Sequence, residues 1–171
     1  RSFAAMKMVG VNVAADPLFT FSYLAVNGGF AFVSADDPGM HSSQNEQDNR
    51  NYAKFMKIAM LEPSDSQECL DMTKDAYRLS EEFEVPVMIR MTTRVCHSKS
   101  LVTEGTRTEV APVLYEKHPE RNDAIPAVSK VRRHIVEARE EKLKAYSNAC
   151  PWNYEEMHDT KIGIVASGAA Y

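Results

Sequence analysis

The sequence has 171 residues, of which 44% are hydrophobic and 26% are charged, and its formal net charge is −4. This composition is that of a soluble globular chain and excludes a fibrous or largely disordered protein. The negative net charge argues against nucleic acid or an anionic membrane surface as a partner, and no apolar run approaches the roughly 20 residues that span a bilayer.

The three cysteines predict free thiols. Cys69, Cys96 and Cys150 are far apart and odd in number, and none belongs to a C-x-x-C pair. Local spacing therefore builds neither a zinc site nor an iron–sulfur site. A disulfide framework is equally disfavoured, so we expect a reducing, cytoplasmic location.

The first predicted elements are a buried strand at residues 2–7 and a helix at residues 9–26. Pro17 leaves two positions open for the start of this helix. Asp16 could be the N-cap, with Pro17 in the first turn. Alternatively, the helix begins near Asn12 and Pro17 kinks it.

A second strand is predicted at residues 30–35, which are apolar throughout, as in strands buried on both faces. The polar stretch 36–51 follows, with a proline and a glycine that break regular structure. A short helix at 52–57 and a short apolar strand at 58–61 come next.

The clearest helix begins after Pro63, where Ser64 and Gln67 have the spacing of a capping box. Its apolar stripe consists of Cys69, Met72, Ala76, Leu79 and Phe83. These residues recur at helical spacing, and a strand at 87–92 follows. The alternation of strands and helices predicts an α/β fold with a parallel sheet and flanking helices.

The second half of the chain loses this alternation. Three prolines and several charges predict a linker or meandering surface segment at residues 99–128. A charged helix at about 130–147 is expected to present a solvated face. A last strand at 161–167 would start a second α/β domain. Because the chain starts with Arg1 and stops where a helix should begin, we expect a fragment.

The carboxyl ends of parallel strands meet at one edge of a sheet, and ligands bind there. Three such ends fall at residues 7–10, 36–39 and 92–94, where polar residues and glycine gather. The sequence therefore predicts a binding site at this edge. Glu46 and Asp48 beside His41 match no firm ligand pattern, so we expect no metal site there.

Three stretches carry a resemblance to a known family. They are MKMVGVNVAADPL at 6–18, ADDPGMHSSQNEQDNR at 35–50, and MLEPSDSQE at 60–68, continued by TTRVCHS at 92–98. In this order and spacing they resemble the large (alpha) subunit of indolepyruvate:ferredoxin oxidoreductases. The resemblance is close over residues 2–99 and weaker beyond them.

The resemblance implies an enzyme that uses thiamine diphosphate and Mg²⁺ to decarboxylate an aryl 2-oxoacid. The remaining carbons leave as an acyl-CoA, and electrons pass through [4Fe-4S] clusters to ferredoxin. The expected assembly is a dimer of large subunits, each with a small (beta) subunit. The protein binds and orients the cofactor, whose thiazolium ring supplies the carbanion chemistry.

The resemblance also implies a domain organisation. Residues 1–98 would be the C-terminal part of a pyrimidine-binding domain, 99–128 a linker, and 129–171 the helix and first strand of a second domain. The cofactor-activating glutamate would lie upstream, and neither a Gly-Asp-Gly motif nor cluster-binding cysteines are present. We therefore expect the fragment alone to bind no cofactor and to be inactive.

Met8, Gly10 and Asn12 would lie where related thiamine enzymes bring a helix N-terminus close to the cofactor. Glycine permits a close backbone approach, and free N–H groups at a helix start favour polar or anionic ligands. The alternative interpretation is an ordinary turn between a strand and a helix.

The loop after the second strand would face the substrate. Its candidate residues are Asp36, Asp37, His41, Gln44 and Asn45. His41 could serve acid–base chemistry or bind a carboxylate, and Arg94 could bind a carboxylate in a two-pronged manner. The alternatives are a polar loop that caps itself and an ion pair of Arg94 at the domain boundary.

Two other functions stay open. The same mechanism could act on pyruvate or another 2-oxoacid, because one methylene in a pocket changes binding by only about 1–3 kcal/mol. The chain could instead be a non-catalytic α/β interaction module that uses the polar loop as a docking surface.

Overall fold

Four short apolar segments form the strands of one sheet in the computed structural model, which describes residues 1–159 and 161–171. The strands are β1 (Ser2–Lys7), β2 (Phe30–Asp36), β3 (Ala59–Leu61) and β4 (Val87–Thr92). They pair in the order β1-β2-β4-β3, and every pair is parallel. The predicted α/β class and its parallel sheet are confirmed.

Helices cover both faces of this sheet. They are α1 (Met8–Val13), α2 (Ala15–Tyr23), α3 (Arg50–Met56), α4 (Ser66–Phe83), α5 (Thr93–His97), α6 (Pro119–Asn122) and α7 (Pro126–Ala149). The first three pack on one face, and α4 packs on the other. A 3-10 turn, Gly168–Ala170, contacts β4 near the C-terminal end of the chain.

The central strands β2 and β4 divide the core into two clusters, because successive side chains point to opposite faces. Phe32 and Met88 are fully buried against α1, α2 and α3. Val87 and Ile89 are buried against α4. Towards the carboxyl ends the first face becomes polar, with Ser34, Asp36 and Arg90. The sheet thus carries a cluster of three buried polar side chains where its apolar core ends.

The helix predicted for residues 9–26 is two helices, α1 and α2, that meet at Ala14. Pro17 accounts for the break, because it has no N–H for the carbonyl of Val13 and its ring crowds that carbonyl. The N-cap position of α2 belongs to Ala14, so the capping role considered for Asp16 is wrong.

The capping box of α4 is shifted by one residue from its predicted place. Asp65 is the N-cap, and its side chain accepts a hydrogen bond from the amide of Glu68 at 2.8 Å. The Glu68 carboxylate returns to the amide of Ser64 at 2.7 Å. Asp and Glu replace the predicted pair of Ser64 and Gln67 because their carboxylates bind the free N–H groups at a helix start more strongly.

The charged helix predicted at 130–147 is longer than expected and is not a simple solvated face. It forms α7, whose buried side chains are Arg132, Val136 and Arg139. None of the described helices, α7 included, is long and apolar enough to cross a membrane.

Two arginines attach α7 to the ends of other helices. Arg132 donates to the carbonyl oxygen of Tyr23 at 2.7 Å, and Arg139 donates to the carbonyls of Ser22 and Glu84. Carbonyls in the last turn of a helix have no partner within it and attract cations. Burial lowers the pKa of Arg139 to about 10, which leaves the group charged at neutral pH.

The strand predicted at 161–167 is not formed in the described part of this segment. Ile164 and Val165 are 87% and 100% exposed, and no strand of the four-stranded sheet pairs with them. A β-strand needs a neighbour for its backbone hydrogen bonds, and the described chain offers none here. The division into domains at residues 98 and 128 stays a prediction.

Truncation of a core methionine tests this packing. Replacing the fully buried Met88 with alanine leaves a cavity under β4, and we expect a loss of about 2–5 kcal/mol in the free energy of unfolding. Met157, which is 85% exposed, is the matched control, and Met157→Ala should change stability by less than about 0.5 kcal/mol. Urea denaturation followed by circular dichroism measures both, and equal effects would contradict the packing.

Candidate functional site

A buried ion pair lies at the carboxyl edge of the sheet. Arg90 stands opposite Ser34 in the pairing of β4 with β2, and its Nε donates to Oδ2 of Asp36 at 2.7 Å. The two side chains are 5% and 1% exposed. Because an unpaired charge at such depth is costly, each group depends on the other.

Asn49 connects this ion pair to the first strand. Its backbone amide donates to Asp36 at 3.0 Å, and its side-chain amide donates to the hydroxyl of Ser34 at 2.8 Å. The same side chain reaches the carbonyl of Met8 at 3.4 Å. Asn49 is fully buried and precedes α3, so these bonds fix the end of the polar loop against both β1 and β2.

Two further carboxylates reach the same guanidinium. Glu62, just after β3, pairs with Nη1 of Arg90, and Asp48 lies 3.9 Å from Nη2. Glu62 also accepts a hydrogen bond from the hydroxyl of Ser167 at 3.2 Å. Gly168 packs on Glu62 so closely that a Cβ there would lie 2.7 Å from its Cγ. The C-terminal segment is thereby attached to the carboxyl edge.

Asp37 anchors the first half of the loop. Its carboxylate accepts hydrogen bonds from the amides of His41 and Ser42 at 3.1 and 2.9 Å, and from the hydroxyls of Ser43 and Thr93 at 2.7 Å each. The Ser42 amide, followed by the two hydroxyls, holds the pKa of Asp37 well below its usual value of 3.8. The loop caps itself through this residue, which was one of the two interpretations of the sequence.

Other residues of the predicted substrate loop remain free to meet a ligand. His41, Gln44 and Asn45 are exposed, and among the described residues the oxygen of Asn45 accepts a hydrogen bond from Gln47 at 3.0 Å. Asp36 and Asp37, in contrast, are 2% and 5% exposed and are occupied by the contacts above. The structure thus divides the candidates into buried anchors and exposed side chains.

Arg94 lies in α5 at the carboxyl end of β4 and is exposed. Within residues 1–159 and 161–171, no carboxylate lies within ion-pair distance of it. The ion pair at a domain boundary that the sequence left open is therefore absent from the described chain. Thr93, beside it, touches the carboxylate that holds the backbone of His41.

The three residues predicted near a cofactor lie at the end of β1. The Met8 side chain is fully buried. A side chain at Gly10 would crowd Met6, with Cβ atoms 3.1 Å apart, so close packing of α1 on β1 already requires this glycine. Asn12 is exposed, and its oxygen accepts a hydrogen bond from Tyr52 at 2.7 Å. Ordinary turn packing explains the first two, and cofactor contact stays a prediction for all three.

Comparison with known proteins gives a match over most of the chain. The profile described as pyruvate flavodoxin/ferredoxin oxidoreductase, thiamine diphosphate-binding, matches residues 34–163. The chain belongs to this family. The family resemblance stated from the sequence is confirmed, and so is the thiamine diphosphate-binding type of fold.

Several relatives of this oxidoreductase family align with the whole chain. Indolepyruvate oxidoreductase subunit IorA of Archaeoglobus fulgidus is 44% identical over 173 positions, which cover 100% of this chain and 28% of that subunit. The protein of the same name from Methanothermobacter marburgensis is 42% identical with the same coverage. The chain therefore spans 28% of the length of these curated relatives.

A more distant relative aligns with only part of the chain. It is 2-oxoglutarate synthase subunit KorA of Methanothermobacter thermautotrophicus, 39% identical over 54 residues, which are 32% of this chain and 14% of that subunit. No solved structure matches the chain.

The buried polar groups at the carboxyl edge of the described chain are already engaged with one another. The carboxylates buried at the carboxyl edge are committed to Arg90 or to the loop backbone, which leaves none to share a proton with an aminopyrimidine. Two buried oxygens there, Asn49 Oδ1 and Thr92 Oγ1, have no hydrogen-bond partner, but both are enclosed. Among the described residues no group of three His, Cys, Asp or Glu could hold a metal ion.

Two surface clefts of the described chain lie away from this edge. One, of about 520 Å³, follows α2 and is lined by residues 14 to 24. The other, of about 470 Å³, lies between α4 and Trp152.

Sequence reasoning missed the most connected residues of the site, Arg90, Glu62 and Asn49. One signal could have found Arg90. It interrupts the apolar strand Val87–Thr92, and a charge within a strand buried on both faces must be paired. Glu62 and Asn49 carry no such signal, because each is an ordinary polar residue next to a loop.

The Asp37 anchor predicts a pH dependence. Its pKa is lower in the folded chain than the unfolded value of 3.8, so its stabilisation is complete above that value and is lost as the pH falls below it. The difference in free energy of unfolding between the native chain and Asp37→Asn should be constant from about pH 7 to 5 and shrink below about pH 4. Urea midpoints measured across this range test it.

Asp16, which is exposed, provides the control. The difference between the native chain and Asp16→Asn should be small and should not shrink in the same interval. A difference for Asp37→Asn that stays constant down to about pH 2.5 would contradict the anchoring role.

Proposed function

We propose that this chain is part of the large subunit of an enzyme that oxidatively decarboxylates an aryl 2-oxoacid, indolepyruvate. The product would be an acyl-CoA, and the electrons would pass to ferredoxin. Family membership and the full-chain similarity to subunits named indolepyruvate oxidoreductase support this proposal. In the complete enzyme, thiamine diphosphate with Mg²⁺ would supply the decarboxylation chemistry and [4Fe-4S] clusters the electron path.

The observation that carries the proposal is the exposed loop at the carboxyl edge of the parallel sheet. Ligands bind at this edge in α/β sheets, and the loop is held there by Asp36 and Asp37. Such anchoring keeps the exposed side chains of His41, Gln44 and Asn45 in place without engaging them. A pre-organised binding surface has this construction.

Each exposed residue has a role in this proposal. Arg94 binds the carboxylate of the 2-oxoacid, since a guanidinium matches a carboxylate with two parallel hydrogen bonds. His41 moves a proton or binds a polar group of the substrate. Gln44 and Asn45 supply amide hydrogen bonds. At the end of β1, Asn12 and the backbone of Gly10 contact the cofactor, and the buried Met8 supports them from within the core.

The proposed assembly completes the site with other polypeptides. It contains a small (beta) subunit, a second large subunit, and a docking site for ferredoxin, and it works in the cytoplasm. CoA and the 2-oxoacid are the substrates. This arrangement agrees with a carboxyl edge that presents the exposed side chains of His41, Gln44 and Asn45 on an anchored loop.

An assay of the complete subunit pair tests the proposed reaction. Indolepyruvate, pyruvate and 2-oxoglutarate are each supplied with CoA and an oxidised ferredoxin or dye, and acyl-CoA is measured. We expect the highest kcat/KM with indolepyruvate. A preference for either other substrate would keep the mechanism and replace the substrate, whereas no turnover with any of them would favour a non-catalytic interaction module.

Substitution of Arg94 tests its role in binding the substrate. In the complete enzyme, Arg94→Gln should raise KM for the 2-oxoacid by about tenfold or more with little change in kcat, because a ground-state carboxylate contact is lost. Arg107, which is 83% exposed, is the control, and Arg107→Gln should leave both constants unchanged. An unchanged KM for Arg94→Gln would refute the assignment.

Calorimetry of the 171-residue chain with thiamine diphosphate tests the incomplete cofactor site. We expect no binding tighter than about 1 mM, or about −4 kcal/mol, because no buried carboxylate of the carboxyl edge is free for the aminopyrimidine. Micromolar affinity would show that the described residues suffice.

A further inference from the structure

One hydrogen-bonded network crosses all four strand ends at the carboxyl edge. Starting at β1, the carbonyl of Met8 accepts from Asn49, which also binds Ser34 and Asp36 of β2. Arg90 of β4 follows and then Glu62 after β3, where the hydroxyl of Ser167 ends the path. The predicted cofactor contact Met8 and the predicted substrate loop are thus connected through Asn49, and the buried guanidinium of Arg90 holds the carboxylate of Asp36 that binds Asn49.

We propose that Arg90 is a positioning residue for the substrate loop. Arg90 holds Asp36, and Asp36 binds the amide of Asn49 at the end of the loop. Because Asn49 also binds Met8, these contacts set the distance between the loop and the start of α1. The inference rests on the proposed function, because the positioned side chains matter only if the loop meets a substrate. It extends that function to a residue that touches neither substrate nor cofactor.

The directions of the guanidinium support this role. Its Nε and Nη1 bind Asp36 and Glu62, while its Nη2 lies 3.9 Å from Asp48, whose hydrogen bonds go to Arg50. The three carboxylates belong to different segments of the chain. Arginine holds such partners in a rigid planar fork, whereas lysine offers a single flexible charge. The geometry of three segments therefore depends on the shape of this side chain as well as on its charge.

The energetics of buried ion pairs also support a positioning role for Arg90. A buried ion pair adds little net stability compared with a well-packed apolar pair, because desolvation offsets the attraction. A mere stabilising role would be served equally by apolar residues in the positions of Arg90 and Asp36. The ion pair differs from an apolar pair because its hydrogen bonds are directional. These bonds require defined positions of Asn49 and Glu62.

The two halves of the loop have separate anchors, which makes the proposal testable. Asp37 holds the amides of His41 and Ser42, and it does so without Arg90. Asp36 holds the amide of Asn49, and Arg90 holds Asp36. Loss of one anchor should therefore loosen one half of the loop and leave the other in place.

Hydrogen exchange of the complete large subunit in its complex measures this directly. Arg90→Lys keeps the charge that Asp36 requires but removes the fork. We expect the Asn49 amide to exchange about tenfold faster or more, and the His41 and Ser42 amides to stay within about twofold. Asp37→Asn should give the reverse pattern. Arg78→Lys on the exposed side of α4 is the control and should change neither.

Kinetics of the same variants separate positioning from folding. Arg90→Lys should raise KM for the 2-oxoacid about tenfold with kcat within about twofold, because the folded enzyme holds its loop less well. A purely structural role would lower kcat with the folded fraction and leave KM unchanged, and that result would overturn the proposal. Arg90→Met, which also removes the charge, should be worse than Arg90→Lys in both measurements.

The two measurements distinguish failure of this inference from failure of the proposed function. Native exchange at Asn49 in Arg90→Lys would overturn the positioning role, whatever the enzyme catalyses. A native complex that converts no 2-oxoacid would overturn the proposed function, while faster exchange at Asn49 would still support control of the loop by Arg90.

Discussion

The carboxyl edge of this protein is organised around the buried ion pair between Arg90 and Asp36. Both groups are almost completely withdrawn from water, and loss of Arg90 would leave the Asp36 carboxylate without a counter-ion, at a cost of about 3–5 kcal/mol. The pair draws in Asn49 and Glu62. Strands that are far apart in sequence are thereby tied at the end where ligands bind in parallel α/β sheets.

Anchoring and exposure are separated in the loop that follows β2. Consecutive aspartates, Asp36 and Asp37, are both buried, yet they hold different segments because successive residues at a strand end point in different directions. Between the two anchored segments, Gln44, Asn45 and Glu46 remain exposed. A loop built in this way can present His41 and Gln44 at low entropic cost, since its backbone is already ordered before a ligand arrives.

Buried arginines also hold α7 against the rest of the chain. Arg132 and Arg139 of α7 donate to carbonyls near the ends of α2 and α4, where the helix dipole favours a cation. Lys57 at the end of α3 pairs with Glu137 and Glu140 of α7. Since Val136 is the one apolar side chain of α7 that is buried, its docking to the domain is largely polar, in contrast to the apolar packing of α4.

The sequence by itself determined the four strands of the sheet, the parallel α/β class and the family, although it also predicted a strand at 161–167 that is not formed. Apolar runs such as Phe30–Asp36 have few conformational choices once they must be buried, and a loop as unusual as residues 36–50 identifies relatives directly. It also located the candidate loop at the correct edge, because parallel strands align their carboxyl ends. Local sequence patterns placed the N-caps of α4 and α2 at the wrong residues. At α4, the neighbouring Ser64 and Asp65 both have the chemistry of an N-cap and compete for one position.

Tertiary structure alone decided what the polar residues do. Asp37 and His41 look equally available in the sequence, but one is consumed by four hydrogen bonds and the other is exposed. Arg90 lies 54 residues from Asp36 along the chain, and only the pairing of β2 with β4 brings them together. The role of a polar group depends on its partners, and partners distant in sequence are fixed only when the sheet forms.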